Sequence, residues 1–274
     1  MFFYGLFRHF TLQIHSRFLS KIHQFTPVVH QSCNYGIGLA RRGKKVLLID
    51  ADSQGSLTVS LGEQDLTNLD LTLASLIYGV IMNRPLDPHS AILHHREGVD
   101  FIPSNFELSG VSTALTSLSN REFILKSIVD SLRGEYDYIL IDCLPSLGLV
   151  AINSLVAADG VIIPCHPAYL STKGLNILLR TIAKTRRSLN PQLVIDGILL
   201  TCVDVHTKNA KEIMQALRDD LGTSVRIFDT VIPRSVKVAE CSNNPSVQSP
   251  LALPSVFLPV ALLSLAFHPA RLCR

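Results

Sequence analysis

Three aspartates carry the clearest chemical signal in this sequence. Asp50 and Asp52 follow the apolar run 46–49 inside the stretch Asp-Ala-Asp-Ser-Gln-Gly, and Asp142 follows a second apolar run, 138–141. Carboxylates at strand ends can hold Mg²⁺ and position a water molecule that attacks a phosphoryl group. Each aspartate alone could instead cap the helix that follows it. Two such segments in one chain favour a functional site.

The elements around these aspartates alternate between strand and helix patterns from about residue 34 to residue 240. Short β-branched or leucine-rich runs predict strands at 46–50, 99–103, 138–142, 160–164, 194–201 and 225–232. Apolar residues at helical spacing predict helices at 120–132 and 171–187. This alternation predicts an α/β fold with a mostly parallel sheet and helices on both faces. Ligands bind beyond the carboxyl ends of such strands, so we expect the three aspartates to face one crevice.

Composition narrows the class of protein. The chain has 274 residues and a formal net charge of only +3, which is too small to indicate nucleic-acid binding by itself. Its six cysteines contain no Cys-x-x-Cys pair, which is typical of reduced thiols in a cytosolic protein. His94 and His95 have no cysteine or carboxylate at a spacing that suggests zinc, so we expect them at the surface.

The two ends differ in composition from the middle. No Asp or Glu occurs before Asp50, and aromatic and basic residues dominate the start of the chain. We divide the chain into an atypical segment 1–33, a domain 34–240 and an atypical Pro/Leu-rich tail 241–274. The first segment could be a transit-type or membrane-surface segment, or translated sequence outside the fold. The tail is interrupted by Pro254 and Pro259, which favours a loose peripheral tail over a membrane anchor.

Basic residues form a stripe on the predicted helix 171–187. Arg180, Lys184 and Arg187 fall opposite the leucines and isoleucine that the helical spacing predicts to be buried. Such a cluster could bind DNA phosphates without sequence preference. It could equally be a solvated helix face.

Several motifs in a fixed order resemble one family. They include Val-Leu-Leu-Ile-Asp-Ala-Asp-Ser-Gln-Gly and Tyr-Ile-Leu-Ile-Asp, and the matching segments are 36–57, 137–148, 162–175, 196–204 and 232–240. In this order they resemble the ParA/Soj family of chromosome and plasmid partition ATPases. That family belongs to the deviant Walker A group that includes MinD, and its fold is P-loop NTPase-like.

The resemblance implies specific roles. Asp52 matches the catalytic switch aspartate, Asp142 matches the Walker B aspartate that holds Mg²⁺, and Asp50 is its strand-end neighbour near the metal. Asp204 and Pro233 fall in segments that line the adenine pocket. The implied protein is cytoplasmic and nucleoid-associated. It binds ATP and Mg²⁺ as a homodimer, binds DNA without sequence preference and responds to a ParB-like centromere-binding protein.

The chain departs from the family pattern at the phosphate loop. Where the family has a strand followed by Lys-Gly-Gly-Val-Gly-Lys-Thr-Thr, this sequence reads Thr-Pro-Val-Val-His-Gln-Ser-Cys-Asn over 26–34, and no Gly-Lys-Ser or Gly-Lys-Thr occurs in 1–45. We therefore expect a fold that lacks the usual first strand and phosphate loop. Ser53 and Leu144 also replace prolines of the family pattern.

The missing loop bears directly on activity. Each charge-assisted hydrogen bond to a phosphate is worth roughly 1.5–3 kcal/mol, and the loss of three would cost roughly 4–9 kcal/mol. A loss of about 4 kcal/mol already turns a micromolar site into a millimolar one. We expect weak ATP binding and little hydrolysis. Two explanations stay open: a frameshift, mis-set start or decayed gene, or a working pseudo-ATPase that keeps its dimer or DNA surface.

Overall fold

A computed structural model provides the structure of the chain. The residues that it describes are 10–12, 29–143, 148–165, 169–204, 207–221 and 224–233.

The strands of the described residues form one sheet. They are β1 (Phe10–Leu12), β2 (Val46–Ala51), β3 (Leu93–His95), β4 (Val99–Ile102), β5 (Tyr138–Cys143), β6 (Gly160–Cys165), β7 (Val194–Val203) and β8 (Ile227–Pro233). Their order in the sheet is β3-β4-β2-β5-β1-β6-β7-β8. Every pair is parallel except β3 with β4. The predicted α/β class and mostly parallel sheet are confirmed.

The helices connect these strands. They are α1 (Val29–Ala40), α2 (Ser56–Ser60), α3 (Leu73–Ile81), α4 (Leu108–Leu115), α5 (Ile124–Leu132), α6 (Leu149–Ala157), α7 (Tyr169–Ser188) and α8 (Lys208–Leu221), with 3₁₀ turns at Pro88–Ala91 and Arg121–Phe123. The predicted helix 120–132 thus begins as a 3₁₀ turn, and the predicted helix 171–187 lies inside α7. None of the helices in these ranges has both the length and the apolar character needed to cross a bilayer.

Alternate residues of the strands pack into two separate cores. On one face, Val46 and Leu48 of β2 pack with Ile37 of α1 and Leu57 of α2. On the other face, Leu47 and Ile49 pack with residues of α3, α4, α5 and α6, and this core continues to α7 and α8. Successive side chains of a strand point to opposite faces, so a strand buried on both sides is apolar throughout. The described helices therefore cover both faces of the sheet, as predicted.

The expectation of a missing first strand needs correction. β1 lies between β5 and β6, with Phe10 opposite Ile141 and Thr11 opposite Ile162. Without a strand at this position, the facing backbone groups of β5 and β6 would lack ladder partners in the middle of the sheet, which is costly. Three residues without a distinct strand pattern were too short a signal to predict β1. The expected absence of the phosphate loop concerns 26–34: residues 26–28 lie outside the described residues, and 29–34 form the first part of α1.

The edge strand β3 was also not predicted. Leu93–His95 is short and polar, and it pairs antiparallel with β4 through a turn at Gly98, whose φ is +79°. The division of the chain at 33/34 and 240/241 stays a prediction. Helix α1 runs through the first of these boundaries, and the second lies outside the described residues.

Candidate functional site

Asp50 is the most enclosed of the three aspartates. It is 0% exposed. Its Oδ2 accepts hydrogen bonds from the backbone N–H of Thr58 at 2.8 Å and from Thr58 Oγ1 at 2.7 Å, and its Oδ1 accepts one from the N–H of Asp52 at 3.1 Å. Burial raises the pKa of Asp50 to about 7, although the Thr58 bonds act in the opposite direction. A low-dielectric environment disfavours the charged form of a carboxyl group.

Asp52 lies in the turn that leads from β2 to α2. The side chain is nearly buried, and its Oδ1 accepts a hydrogen bond from the N–H of Gln54 at 2.8 Å. Gly55 closes the turn by donating its N–H to the Asp52 carbonyl at 2.9 Å, with φ at +62°. Burial raises the pKa of Asp52, while the Gln54 and Ser56 hydrogen bonds oppose that shift.

Asp142 lies beside Asp50 on the neighbouring strand. The two residues are register partners of β2 and β5, and Asp142 is 2% exposed. The hydroxyl of Ser32, on α1, donates a hydrogen bond to Asp142 Oδ1 at 3.1 Å. Burial raises the pKa of Asp142 well above its usual range, and the charges of Asp50 and Asp52 add to this effect. The structure thus brings the three aspartates together at the carboxyl edge of the sheet.

Asp204 and Pro233 lie further along the same edge. Pro233 ends β8 and is the register partner of Val203, the residue before Asp204. The carbonyl of Asp204 accepts hydrogen bonds from the N–H and the hydroxyl of Thr207 at the start of α8. Three strand spacings separate β5 from β7, or about 14 Å at about 4.8 Å each. These two residues are thus close to each other but apart from the aspartates.

Helix α7 presents the predicted basic stripe to solvent. Arg180, Lys184 and Arg187 are exposed, whereas the opposite side of the helix is buried through Leu175 and Ile182. The sequence of α7 contains no acidic residue. No ion pair joins these three basic side chains to a carboxylate elsewhere in the described ranges.

Three hydroxyl residues of the site were missed from the sequence. Ser32 and Thr58 donate to the aspartates as described above, and the N–H of Ser104, after β4, donates to Thr58 Oγ1 at 2.9 Å. Ser104 Oγ is buried and has no hydrogen-bond partner among the residues that the structure describes. Ser and Thr are common at helix starts and in turns, so sequence alone gives no reason to select these positions. For Thr58, the sequence feature that could have suggested a role is a hydroxyl side chain eight residues after Asp50.

The oxygen atoms at this edge could supply some, but not all, of the ligands of a Mg²⁺ ion. Carboxylate and hydroxyl oxygens are the ligands that Mg²⁺ prefers, and Mg²⁺ usually takes only one or two carboxylates together with water and substrate phosphates. No group of three or more His, Cys, Asp or Glu side chains in the described ranges could hold a metal by itself. The edge therefore suits a cation that arrives with phosphate oxygens better than a cation held by protein ligands alone.

Comparisons with known proteins agree with this architecture. A protein-family model described as AAA domain matches residues 29–195. The chain is 40% identical over 210 residues to an uncharacterised protein of Mycobacterium tuberculosis, covering 76% of this chain and 64% of that protein. The chain therefore spans less than two thirds of that relative. It is 37% identical over 222 residues to the chromosome partitioning protein ParA of Caulobacter vibrioides, covering 80% of this chain and 79% of the relative.

A solved structure with the same fold is that of a synthase. Cobyrinic acid a,c-diamide synthase from Mycobacterium smegmatis, with bound ATP analogue and magnesium, superimposes with a TM-score of 0.71 at 28% identity. The match covers 87% of this chain and 93% of the synthase. The ligands belong to that protein.

Proposed function

Because the chain belongs to the ParA/Soj family of partition ATPases, we propose that it is a ParA-like protein of chromosome or plasmid partitioning with an impaired nucleotide site. The observation that carries this proposal is the meeting of Asp50, Asp52 and Asp142 at one edge of the sheet. Three buried carboxylates are costly unless a cation compensates them. ATP with Mg²⁺ is the ligand that would supply that cation and the phosphoryl group.

The residues of the site take separate roles in this proposal. Asp142 orients Mg²⁺, supported by the Ser32 hydroxyl that fixes one of its oxygens. Asp52 holds the attacking water, since its carboxylate lies in the turn and is held by the Gln54 N–H. Asp204 and Pro233 line the adenine pocket. Their distance along the edge from Asp142 leaves room for the ribose and phosphates between the two places.

The reason for impaired activity lies in the sequence before Gln31. Residues 26–34 contain neither lysine nor glycine, and no Gly-Lys-Ser or Gly-Lys-Thr occurs in 1–45. The charged side chains of the described site are the acids Asp50, Asp52 and Asp142, and ionised acids repel a triphosphate unless Mg²⁺ is present. We therefore expect no saturable ATP binding below about 1 mM, which corresponds to a binding free energy of about −4 kcal/mol.

A titration with ATP and Mg²⁺, followed by measurement of phosphate release, tests this expectation. The matched variant replaces the eight residues before Gln31 with Lys-Gly-Gly-Val-Gly-Lys-Thr-Thr, which places the new threonines at the start of α1. We expect this variant to bind ATP roughly 10³-fold more tightly, and Asp142→Asn in the same background to remove the Mg²⁺ dependence. Micromolar binding by the unaltered chain would contradict the proposal.

The second candidate is a non-catalytic DNA-binding or dimerising relative. The exposed basic stripe of α7, combined with the missing phosphate-loop lysine, favours it. Non-specific DNA binding needs only a cluster of cations that displaces counterions from the phosphates, and it falls steeply with salt. Homodimerisation, a ParB-like centromere-binding partner and a nucleoid-associated cytoplasmic location belong to both candidates as expectations of the family.

Charge reversal tests the DNA surface. We expect Arg180→Glu combined with Lys184→Glu to weaken retention of random-sequence duplex at low salt and to reduce the slope of log affinity against log salt by about 2. The matched control is Arg84→Glu combined with Lys126→Glu, which reverses two charges elsewhere on the surface. Equal losses in both variants would mean that net charge, and not the α7 stripe, governs binding.

A further inference from the structure

Asp50 uses both of its carboxylate oxygens within its own chain. Oδ2 accepts two bonds from Thr58 and Oδ1 accepts one from the backbone of Asp52. These three donors come from the turn after β2 and from α2. A carboxylate can accept all three at once because it is an acceptor only, whereas an asparagine would turn its amide hydrogens toward one of the donors.

Thr58 connects Asp50 to a third segment. Its hydroxyl donates to Asp50 Oδ2 at 2.7 Å and accepts the N–H of Ser104 at 2.9 Å. Thr58 and Ser104 are both fully buried. The end of β2, the helix α2 and the loop after β4 therefore meet at a single threonine hydroxyl.

Hydrogen bonds that involve Asp50 and its neighbours also hold the turn that contains Asp52. Its N–H is held by Asp50, its carboxylate by the Gln54 N–H, and its carbonyl by the Gly55 N–H. Gly55 has no room for a side chain, because a Cβ there would lie 2.6 Å from Leu66 Cδ1 and 3.0 Å from the Ser104 carbonyl oxygen. Displacement of Thr58 or Asp50 would thus release the backbone that aims the Asp52 carboxylate.

We propose that Asp50 is a positioning residue that acts with Thr58 to fix the Asp52 turn, and that the acids facing a Mg²⁺-bound ligand are Asp142 and Asp52. This role replaces the metal-neighbour role that the family resemblance implied for Asp50. The hydrogen-bond geometry of the turn does not depend on the proposed function. Its importance for catalysis rests on the function proposed above, in which Asp52 holds the attacking water.

Hydrogen exchange of the full chain without nucleotide tests directly whether Asp50 and Thr58 hold the Asp52 turn. Thr58→Val removes the hydroxyl at nearly constant volume, and Thr58→Ser restores it. We expect Thr58→Val to accelerate exchange of the Asp52 and Thr58 amides at least tenfold while α5 keeps its protection, and Thr58→Ser to restore slow exchange. Thr116→Val is the matched control, since in the described part of the chain the Thr116 hydroxyl donates locally, to the Ser112 carbonyl at the end of α4. Unchanged exchange at Asp52, or equal acceleration throughout the chain, would overturn the proposal.

Binding of Mn²⁺, followed by its paramagnetic resonance, separates this proposal from the proposed function. We expect Asp142→Asn to lower Mn²⁺ affinity at least tenfold and Asp50→Asn to lower it less than threefold. Equal losses in the two variants would overturn the positioning role. If the chain binds no Mn²⁺ by itself, the variant with the restored phosphate loop and ATP is used; absence of Mn²⁺ binding there as well would count against the proposed function, and the exchange experiment would then decide the role of Asp50 alone.

Discussion

At the amino edge of the sheet acidic side chains lie next to cations, whereas at the carboxyl edge they lie next to one another. Asp159, just before β6, accepts two bonds from Arg133 at 2.8 and 3.0 Å, and Glu97, before β4, pairs with Arg41 at 2.9 Å. At the opposite edge, the donors to Asp50 and Asp142 in the described ranges are hydroxyls and backbone N–H groups.

This difference separates acids that stabilise the fold from acids that we propose to face a ligand. A partly exposed acid with an arginine partner contributes modestly to stability, whereas a buried acid without a cation lowers it. A ligand that supplies the missing positive charge can offset this loss of stability. Burial and the charge of Asp50 raise the pKa of Asp142, which is consistent with the cation site that we propose.

Asp196 is an exception at the amino edge. It sits at an irregularity in the pairing of β6 with β7, where Val161 is opposite Ile195 and Ile162 is opposite Gly197. Burial, followed by the charge of Asp159, raises its pKa to about 7. A raised pKa alone therefore does not identify the functional site, and the clustering of Asp50, Asp52 and Asp142 is the more specific feature.

The largest expected effect comes from the turn that supports the carboxyl-edge acids. Gly55→Ala combines a left-handed backbone, costing roughly 1–2 kcal/mol, with overpacking that costs roughly 1–3 kcal/mol. Gly43→Ala is the control, because Gly43 has φ at +75° but open space around its Cβ position. We expect urea denaturation to show a loss of roughly 2–5 kcal/mol for Gly55→Ala and roughly 1–2 kcal/mol for Gly43→Ala. Equal losses would mean that the packed turn shifts without cost.

A pair of matched neutralisations compares the two edges directly. Asp142→Asn removes a buried acid that must either carry its charge beside Asp50 or be protonated at a cost, so we expect the free energy of unfolding at pH 8 to rise by about 1–2 kcal/mol. Asp159→Asn weakens the bonds from Arg133, so we expect a fall of about 0.5–1 kcal/mol. Denaturant titration of both variants measures whether the free energy of unfolding rises or falls in each. A loss of stability in Asp142→Asn would indicate that its hydrogen bonds outweigh the repulsion.

The pH dependence of stability provides the third contrast, with an expected size of roughly 1–3 kcal/mol. The pKa of Asp50 is raised to about 7 in the folded chain, from an ordinary value of 3.8. Between these values the folded state holds more protons than the unfolded state, so stability rises as the pH falls from 8 to 5. We expect Asp50→Asn to flatten this slope, and Asp196→Asn, which is less enclosed, to flatten it less. A change in the pH dependence of stability in Asp196→Asn, with none in Asp50→Asn, would contradict this expectation.

Much of the fold could be predicted because its strands are long and apolar. The runs at 46–50, 138–142 and 160–164 became β2, β5 and β6, since strands buried on both faces leave a continuous apolar signal. β1 and β3 could not be predicted in this way. Each has only three residues, and β1 depends on the gap between β5 and β6 rather than on its own pattern.

The sequence by itself determined the family, the parallel sheet and the identity of the acids, because strand-end aspartates and buried strands have local patterns. Only the tertiary structure decided which donors hold each acid. Ser32 meets Asp142 across 110 residues and Ser104 meets Thr58 across 46, and contacts at such separations depend on how strands and helices pack. The same packing buries Asp50, Asp52 and Asp142 together and raises their pKa values.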